Sequence, residues 1–283
     1  MVAFIGTGLL GSNFVRAMLK RGEQVQVWNR TGSKASALEA EGARAFAHVK
    51  DAVAGASRVH ITLVDDETVD DILEQASAGF GPDTIIIDHT TTTVSGAVKR
   101  TGIWKGKGFT YLHAPVFMGP RNALDGTGHM LVSGDQEVIR RVEPALAAMT
   151  GQVVNLGAET GKAAATKLLG NSFLLFLTAG IADTLALGKA MGVTTSEAIS
   201  FFEMWNPGTS LPARMKRMGD AKFDEPSWEL KMARKDARLM MKEAGEDGIR
   251  LAFIPSIASE MDRWIETGHG SKDWMVIGKD SVI

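Results

Sequence analysis

Two groups of residues in this chain have the types and spacing to do chemistry. The first is Gly6-Thr7-Gly8-Leu9-Leu10-Gly11, a complete G-x-G-x-x-G that directly follows the apolar run Val2–Ile5. Glycines so spaced permit a tight turn at Gly6, close approach of a pyrophosphate to the backbone at Gly8, and close helix–strand packing at Gly11. A helix that starts there turns its free N–H groups toward the phosphates. The run Ser12–Arg21, stopping at Gly22, supplies that helix, and Val25–Trp28 supplies the next strand. With strand, helix and second strand all in place, the motif points to a dinucleotide rather than to a ligand-free glycine turn. The second group is Lys167 and Asn171, which lie at i and i+4 and so share one face of a long apolar run. An ammonium in such a run is paired, performs a task, or snorkels to solvent from the helix start. A lysine whose pKa is lowered by burial can both give and take a proton near neutral pH. From position alone, the catalytic and snorkelling readings balance.

The end of the second strand bears on the choice of dinucleotide. NAD sites usually place a carboxylate there for the ribose 2′-hydroxyl. This chain has Asn29-Arg30-Thr31. Arg30 can pair with a 2′-phosphate through two N–H bonds and Thr31 can add a hydroxyl, where a carboxylate would repel it. The expectation is NADP rather than NAD. Leu63 and Val64, where the strand-like run 59–63 ends, complete the candidate cofactor-binding residues on this side.

The elements that must position these groups divide the chain in two. Up to about residue 155, strand-like runs at 2–5, 25–28, 59–63, 84–87, 110–113, 129–133 and 152–155 alternate with amphipathic runs such as Glu67–Ala78 and Gln136–Met149. Such alternation predicts an α/β fold with a mostly parallel sheet covered by helices. From Gly161 the pattern is helical throughout: Ala163–Met191, Thr194–Met204, Ser210–Arg217, Trp228–Glu246, Pro255–Thr267 and Lys272–Ile277. The expected organisation is an N-terminal Rossmann-type NADP-binding domain over 1–160 and an all-helical substrate and dimerisation domain over 161–283. Ala163–Ala182 has the length of a membrane span. It carries Lys167 and Asn171, runs on through Asp183 and Lys189, and has no basic flank or aromatic belt. Burial between domains or subunits is the favoured reading, and it predicts a homodimer.

Composition narrows the function classes. The chain has 283 residues, 45% hydrophobic and 23% charged, a net charge of −2, six histidines and no cysteine. The charge predicts no attraction to nucleic acid or anionic lipid. The absence of cysteine excludes disulfides and thiolate chemistry, and the scattered histidines make a metal site unexpected. A strand that begins at residue 2 leaves no room for a targeting peptide, so a cytoplasmic location is expected.

Several motifs together resemble the β-hydroxyacid dehydrogenase family, which includes 3-hydroxyisobutyrate dehydrogenases, tartronate semialdehyde reductases and glyoxylate/succinic semialdehyde reductases. The resemblance covers essentially the whole chain. Phe4–Gly11 is similar to F-I-G-L-G-x-M-G, and Trp28–Thr31 to the W-N-R-T of NADPH-using members. Asp88–Thr93 resembles D-x-S-T-x-S, which implies that Thr91 touches the nicotinamide side of the cofactor. Ala114-Pro115-Val116 matches the start of the substrate motif D-A-P-V-S-G-G, and Gly161 through Lys167 to Asn171 resembles G-x-G-x-x-x-K-x-x-x-N. Lys235-Asp236 resembles the K-D of the helical domain, whose lysine reaches the cofactor and substrate cleft. The resemblance implies Lys167 as the proton donor to the carbonyl oxygen during hydride transfer, with Asn171 holding it in line.

The departures bear on substrate. The serine and first glycine of the substrate motif are Phe117 and Met118, followed by Gly119; its leading Asp is His113; the second Gly of the catalytic motif is Ala163. The hydroxyl that the family turns on the substrate carboxylate is absent, which favours a larger or less charged carbonyl compound, with Arg121 or Lys235 as remaining carboxylate partners. On a blander reading Phe117 and Met118 face the core. Trp205, Asn206 and Pro207 are candidates for the pocket wall. Imine reduction is the alternative activity, against which Lys167 argues. 6-Phosphogluconate dehydrogenase has a His where this chain has Gly170 and a much longer helical domain. An NADPH-binding sensor without turnover is the reading from outside enzymology.

Overall fold

The computed structural model describes residues 1–282, in two compact units, Met1–Ser172 and Phe173–Ile283. The first unit holds nine strands: β1 (Val2–Ile5), β2 (Val25–Trp28), β3 (Arg44–Ala45), β4 (Arg58–Ile61), β5 (Ile85–Asp88), β6 (Thr110–His113), β7 (Val116–Phe117), β8 (His129–Val132) and β9 (Gln152–Asn155). Its helices are α1 (Leu9–Lys20), α2 (Gly32–Ser36), α3 (Val49–Val53), α4 (Asp66–Ala76), α5 (Val94–Gly106), α6 (Pro120–Asp125), α7 (Gln136–Ala147) and the start of α8 (Lys162–Ala190). β1 to β6 form a six-stranded parallel sheet in the order β3-β2-β1-β4-β5-β6. Strands 129–132 and 152–155, expected as part of the parallel sheet, instead belong to a separate three-stranded sheet, β7-β8-β9, in which β7 runs antiparallel to β8.

Alternation along β1 explains how the large sheet is covered. Val2 and Phe4 face a core that includes Phe14, Val15 and Met18 of α1, while Ala3 and Ile5 face one that includes Val53 of α3 and Val69 and Leu73 of α4. A strand buried on both faces reads as a continuous apolar run, which is what Val2–Ile5 and Ile85–Ile87 are. β1 pairs with both β2 and β4, and chain order reverses between β1 and β4. The crevice at the carboxyl ends of these strands is where α/β sheets of this kind hold their ligands.

The second unit is helical: the rest of α8, α9 (Thr195–Met204), α10 (Leu211–Gly219), α11 (Leu230–Glu246), α12 (Ile254–Trp264) and a C-terminal 3₁₀ segment, Trp274–Ser281. Its core gathers Phe223, Leu230, Met261, Trp264 and Met275. The fold class is therefore α/β of Rossmann type followed by an all-α part. Among the described residues, α8 is the one helix long and apolar enough to cross a membrane by length and composition. The chain itself does not bury it: Leu169 is 68% exposed, and Leu175 and Phe176 are each 72% exposed. Asp183 is one of the residues of this helix that the chain does bury. Its buried carboxylate accepts the N–H groups of Ala252, Phe253 and Ile254 at 2.8–2.9 Å and so caps α12. Burial raises its pKa, and the three N–H bonds outweigh burial and leave it below the usual carboxylate value.

Candidate active site

The dinucleotide part of the site forms where β1, β2 and β4 end in register. Gly6 turns out of β1 with φ +91°, and a Cβ there would lie 2.1 Å from the carbonyl oxygen of Thr62. At Gly11 a Cβ would come within 1.9 Å of the Gly6 oxygen. Both positions are closed to any side chain, so the loop lies flat on the sheet end. Thr62 braces it, its hydroxyl donating to the Gly6 oxygen at 2.7 Å. Gly8 is exposed with open space around it, and no side chain caps the N-terminus of α1 that follows. The hydroxyl of Thr7 is buried without a partner. Uncapped N–H groups, an orphan hydroxyl and an unobstructed glycine fit a pyrophosphate.

Around this loop lies a cavity of about 590 Å³ lined by Gly6, Gly8, Asn29, Arg30, Thr31, Leu63 and Val64, all of them expected cofactor residues. Lys34 also lines it. It lies four residues after Arg30, so α2 returns a second cation toward the same space, a spacing the sequence showed and the sequence reading passed over. Asn29 uses its amide on the loop itself: Oδ1 accepts from the Thr7 N–H at 3.0 Å and Nδ2 donates to the Thr31 oxygen at 3.0 Å. It ties the glycine loop to the end of β2. Leu9 is 80% exposed, while Leu10 packs against the core.

The loop after β5 is held by a buried polar network that the sequence reading did not find. Thr90 donates its N–H to Asp88 Oδ1 at 2.8 Å and accepts from the Leu63 N–H at 2.9 Å. His113 Nε2 donates to the Thr90 oxygen at 2.8 Å. Tyr111 donates to Asp88 Oδ2 at 2.7 Å, and Arg100, 1% exposed, donates to Tyr111 and reaches Asp66 and Asp70. Asp66 in turn accepts the Thr93 N–H at 2.9 Å. Buried charges and hydroxyls so satisfied give a fixed loop, on which Thr91 stands exposed. The signal was the polar content of α5 and β6, which periodicity counts as noise.

Lys167 and Asn171 stand where α8 meets the small sheet. Ser133, after β8, accepts the N–H of Ala163 at 3.0 Å and anchors the first turn. A Cβ at Gly161 would lie 2.8 Å from Val98 and 3.1 Å from Val94, so α8 starts hard against α5, the helix that leaves the Thr90–Thr93 loop. Lys167 is 9% exposed, and its Nζ donates to Asn171 Oδ1 at 2.9 Å. Burial lowers its pKa. The Phe117 ring lies against it, with Nζ 4.2 Å from the ring centroid.

The other expected residues have partners of their own. Met118 packs on the core. The Gly119 N–H is taken by Asn122 Oδ1 at 2.9 Å. Arg121 is 82% exposed and paired with Asp125 one turn along α6. Lys235 stands on α11 in the second unit, 2.7 Å from Asp236. Trp205 belongs to an exposed aromatic group with Phe201 and Phe202.

Comparison with known proteins places the chain. Residues 1–157 match the NAD-binding domain of 6-phosphogluconate dehydrogenase. The chain is 26% identical to an NAD-dependent L-serine dehydrogenase of Pseudomonas aeruginosa, over 98% of this chain and 96% of that one. It is 25% identical to a 3-sulfolactaldehyde reductase of Escherichia coli, over 98% and 94%. An imine reductase from Myxococcus stipitatus, solved with NADP+, shares the fold at a TM-score of 0.90 and 20% identity, over 99% of each chain. With that domain matched over more than half of this chain and dehydrogenases and reductases aligned end to end, the chain belongs to the β-hydroxyacid dehydrogenase family of NAD(P)-dependent oxidoreductases.

Proposed function

We propose that this protein is an NADP-dependent oxidoreductase that transfers a hydride between NADPH and a short-chain aldehyde or keto acid, with Lys167 as general acid and base. The observation that carries the reading is the buried Lys167 ammonium, held at 2.9 Å by Asn171 and, among the described residues, without a carboxylate partner. Bound NADPH supplies the hydride. As charge grows on the carbonyl oxygen, the ammonium stabilises it and passes a proton to it. Burial eases that transfer by weakening the hold of nitrogen on the proton. In the reverse direction the neutral amine takes the proton of the alcohol, and Asn171 keeps Nζ in line. Arg30, Thr31 and Lys34 around one cavity, with Asn29 where a carboxylate would stand, support NADP over NAD.

Lys167→Ala should lower turnover by about 10²- to 10⁴-fold, with NADPH affinity retained; normal turnover in that variant refutes the assignment. A panel of succinic semialdehyde, glyoxylate, methylglyoxal and cyclic imines separates the other readings. Turnover of imines alone supports imine reduction, and silence with tight NADPH binding supports a sensor. The exposed apolar residues of α8, including Leu175 and Phe176, support a homodimer in which a second copy covers them. Light scattering at micromolar concentration checks this, and a monomeric mass refutes it. The reading is of a cytoplasmic enzyme.

A further inference from the structure

Phe117 and Gly170 are fitted to each other. Gly170 lies in the interior of α8, where glycine is the poorest helix former after proline. A Cβ at this position would lie 2.3 Å from Cζ and 2.8 Å from Cε1 of Phe117. The ring therefore rests on the helix because position 170 has no side chain. It is delivered by β7, where Phe117 pairs with His129 of β8. Three residues before Gly170 on α8, Lys167 brings Nζ to 4.2 Å from the ring centroid. One residue after Gly170, Asn171 accepts from the same nitrogen at 2.9 Å. Among the described residues no carboxylate, imidazole or second cation lies within hydrogen-bond or ion-pair reach of Nζ, and burial lowers its pKa. The ring face and one amide oxygen are thus what answers this charge.

We propose that Phe117 is a positioning residue that seats the Lys167 ammonium on its ring face, and that Gly170 is the notch in α8 that lets the ring lie there. The proposal rests on Lys167 as the general acid. The negative face of an aromatic ring attracts the ammonium and not the neutral amine. It therefore opposes burial, which favours the amine. The two effects act in opposite directions on one nitrogen, burial favouring the amine and the ring the ammonium. The ring and the Asn171 oxygen also fix where Nζ sits, a task that burial cannot do.

Two substitutions test this in the full-length protein. Phe117→Leu keeps apolar cover and removes the ring face, and Gly170→Ala keeps the ring but forces it off the helix. The pKa of Lys167 is read from the pH dependence of its acylation by acetic anhydride, by peptide mass spectrometry. The alkaline limb of kcat and the KM for NADPH are measured alongside. Each substitution should lower the Lys167 pKa by about one unit. The double variant should match Phe117→Leu, because with the ring gone the methyl added at position 170 has nothing to displace. The alkaline limb should move by the same amount with the NADPH KM unchanged. An unmoved Lys167 pKa in Phe117→Leu overturns the proposal, as do additive shifts in the double variant. Should Gly170→Ala fail to fold, Phe117→Leu alone decides. If acylation shifts as expected while the alkaline limb stays in place, the seat is supported and it is the general-acid role of Lys167 that falls.

Discussion

Acid should weaken this fold well before its carboxylates titrate, because two imidazoles are sealed inside the large sheet. His60 on β4 and His89 after β5 are 0% and 3% exposed and stack between Phe4 and Phe14, with 5.2 Å between their own centroids. His89 Nδ1 donates to the Ala114 oxygen at 2.8 Å, which leaves Nε2 to accept from His60 Nδ1 at 2.9 Å. This order assigns both rings as neutral, and His60 Nε2 has no partner. A second proton on either ring has no acceptor in that direction. Burial lowers the His89 pKa from 6.5 to about 4, and it lowers His60 and His113 as well. Between those limits the unfolded chain binds a proton that the folded chain refuses, so stability rises with pH. The contribution is complete above about 6.5 and disappears as pH falls toward 4. For His89 alone the lowering amounts to about 3 kcal/mol, at about 1.4 kcal/mol per unit. Asp183 and Asp273, whose pKa values lie below 3.8, fade only at lower pH, so the windows separate. Urea unfolding followed by tryptophan fluorescence from pH 8 to pH 4.5 measures it. The stability should be level above pH 7 and then fall with a slope approaching about 1.4 kcal/mol per pH unit for each histidine that resists protonation. His89→Gln should be less stable at pH 7 and show a shallower slope. A wild-type stability that stays level from pH 7 to pH 4.5 refutes the reasoning.

Two further outcomes follow from single contacts. Arg30→Ala should raise the KM for NADPH by about 10- to 100-fold through loss of a charge-assisted phosphate pair, while leaving that for NADH nearly unchanged; equal effects on both cofactors, or a wild type that prefers NADH, refute the 2′-phosphate role. Asp183→Asn presents an amide N–H₂ where three backbone N–H groups need acceptors, and should cost about 2 kcal/mol in urea unfolding; an unchanged midpoint shows that the cap of α12 does not need the carboxylate.

The fold was legible where a single periodicity governed a long enough stretch. β1, β2 and β6 begin and end where the strand-like runs do, and each is buried throughout or nearly so. β3 and β7 are two residues long, and no alternation can be read from two residues. The strand-like run 59–63 overshoots β4, which ends at Ile61; Thr62 still donates its N–H to the Ile5 oxygen, and its hydroxyl braces the Gly6 loop. Strand pattern carries no label for the sheet a strand joins, so β8 and β9 read as members of the parallel sheet. The antiparallel β7 is what separates them, and it lies in a motif that reads as a substrate loop. The glycine loop was legible because its requirements are backbone requirements. The network of Asp88, Tyr111, Arg100 and Asp66 was not, because its partners come from four elements and meet only in three dimensions.

The apolar helix α8 shows how far an argument from charge can be taken. Sequence alone shows Lys167, Asp183 and Lys189 as charges in this apolar run, and the structure buries the first two. Their surroundings answer them in opposite ways. Asp183 spends both oxygens on the N-terminus of α12, three donors for one carboxylate. Lys167 has an amide oxygen and a ring face, neither of which carries a full charge. A buried carboxylate that is completely satisfied is a structural tie. A buried ammonium with no counter-charge has its pKa lowered by burial, and it keeps N–H groups free to meet an incoming oxygen. That asymmetry, and not burial itself, is the reason to look for chemistry at one end of the helix and architecture at the other.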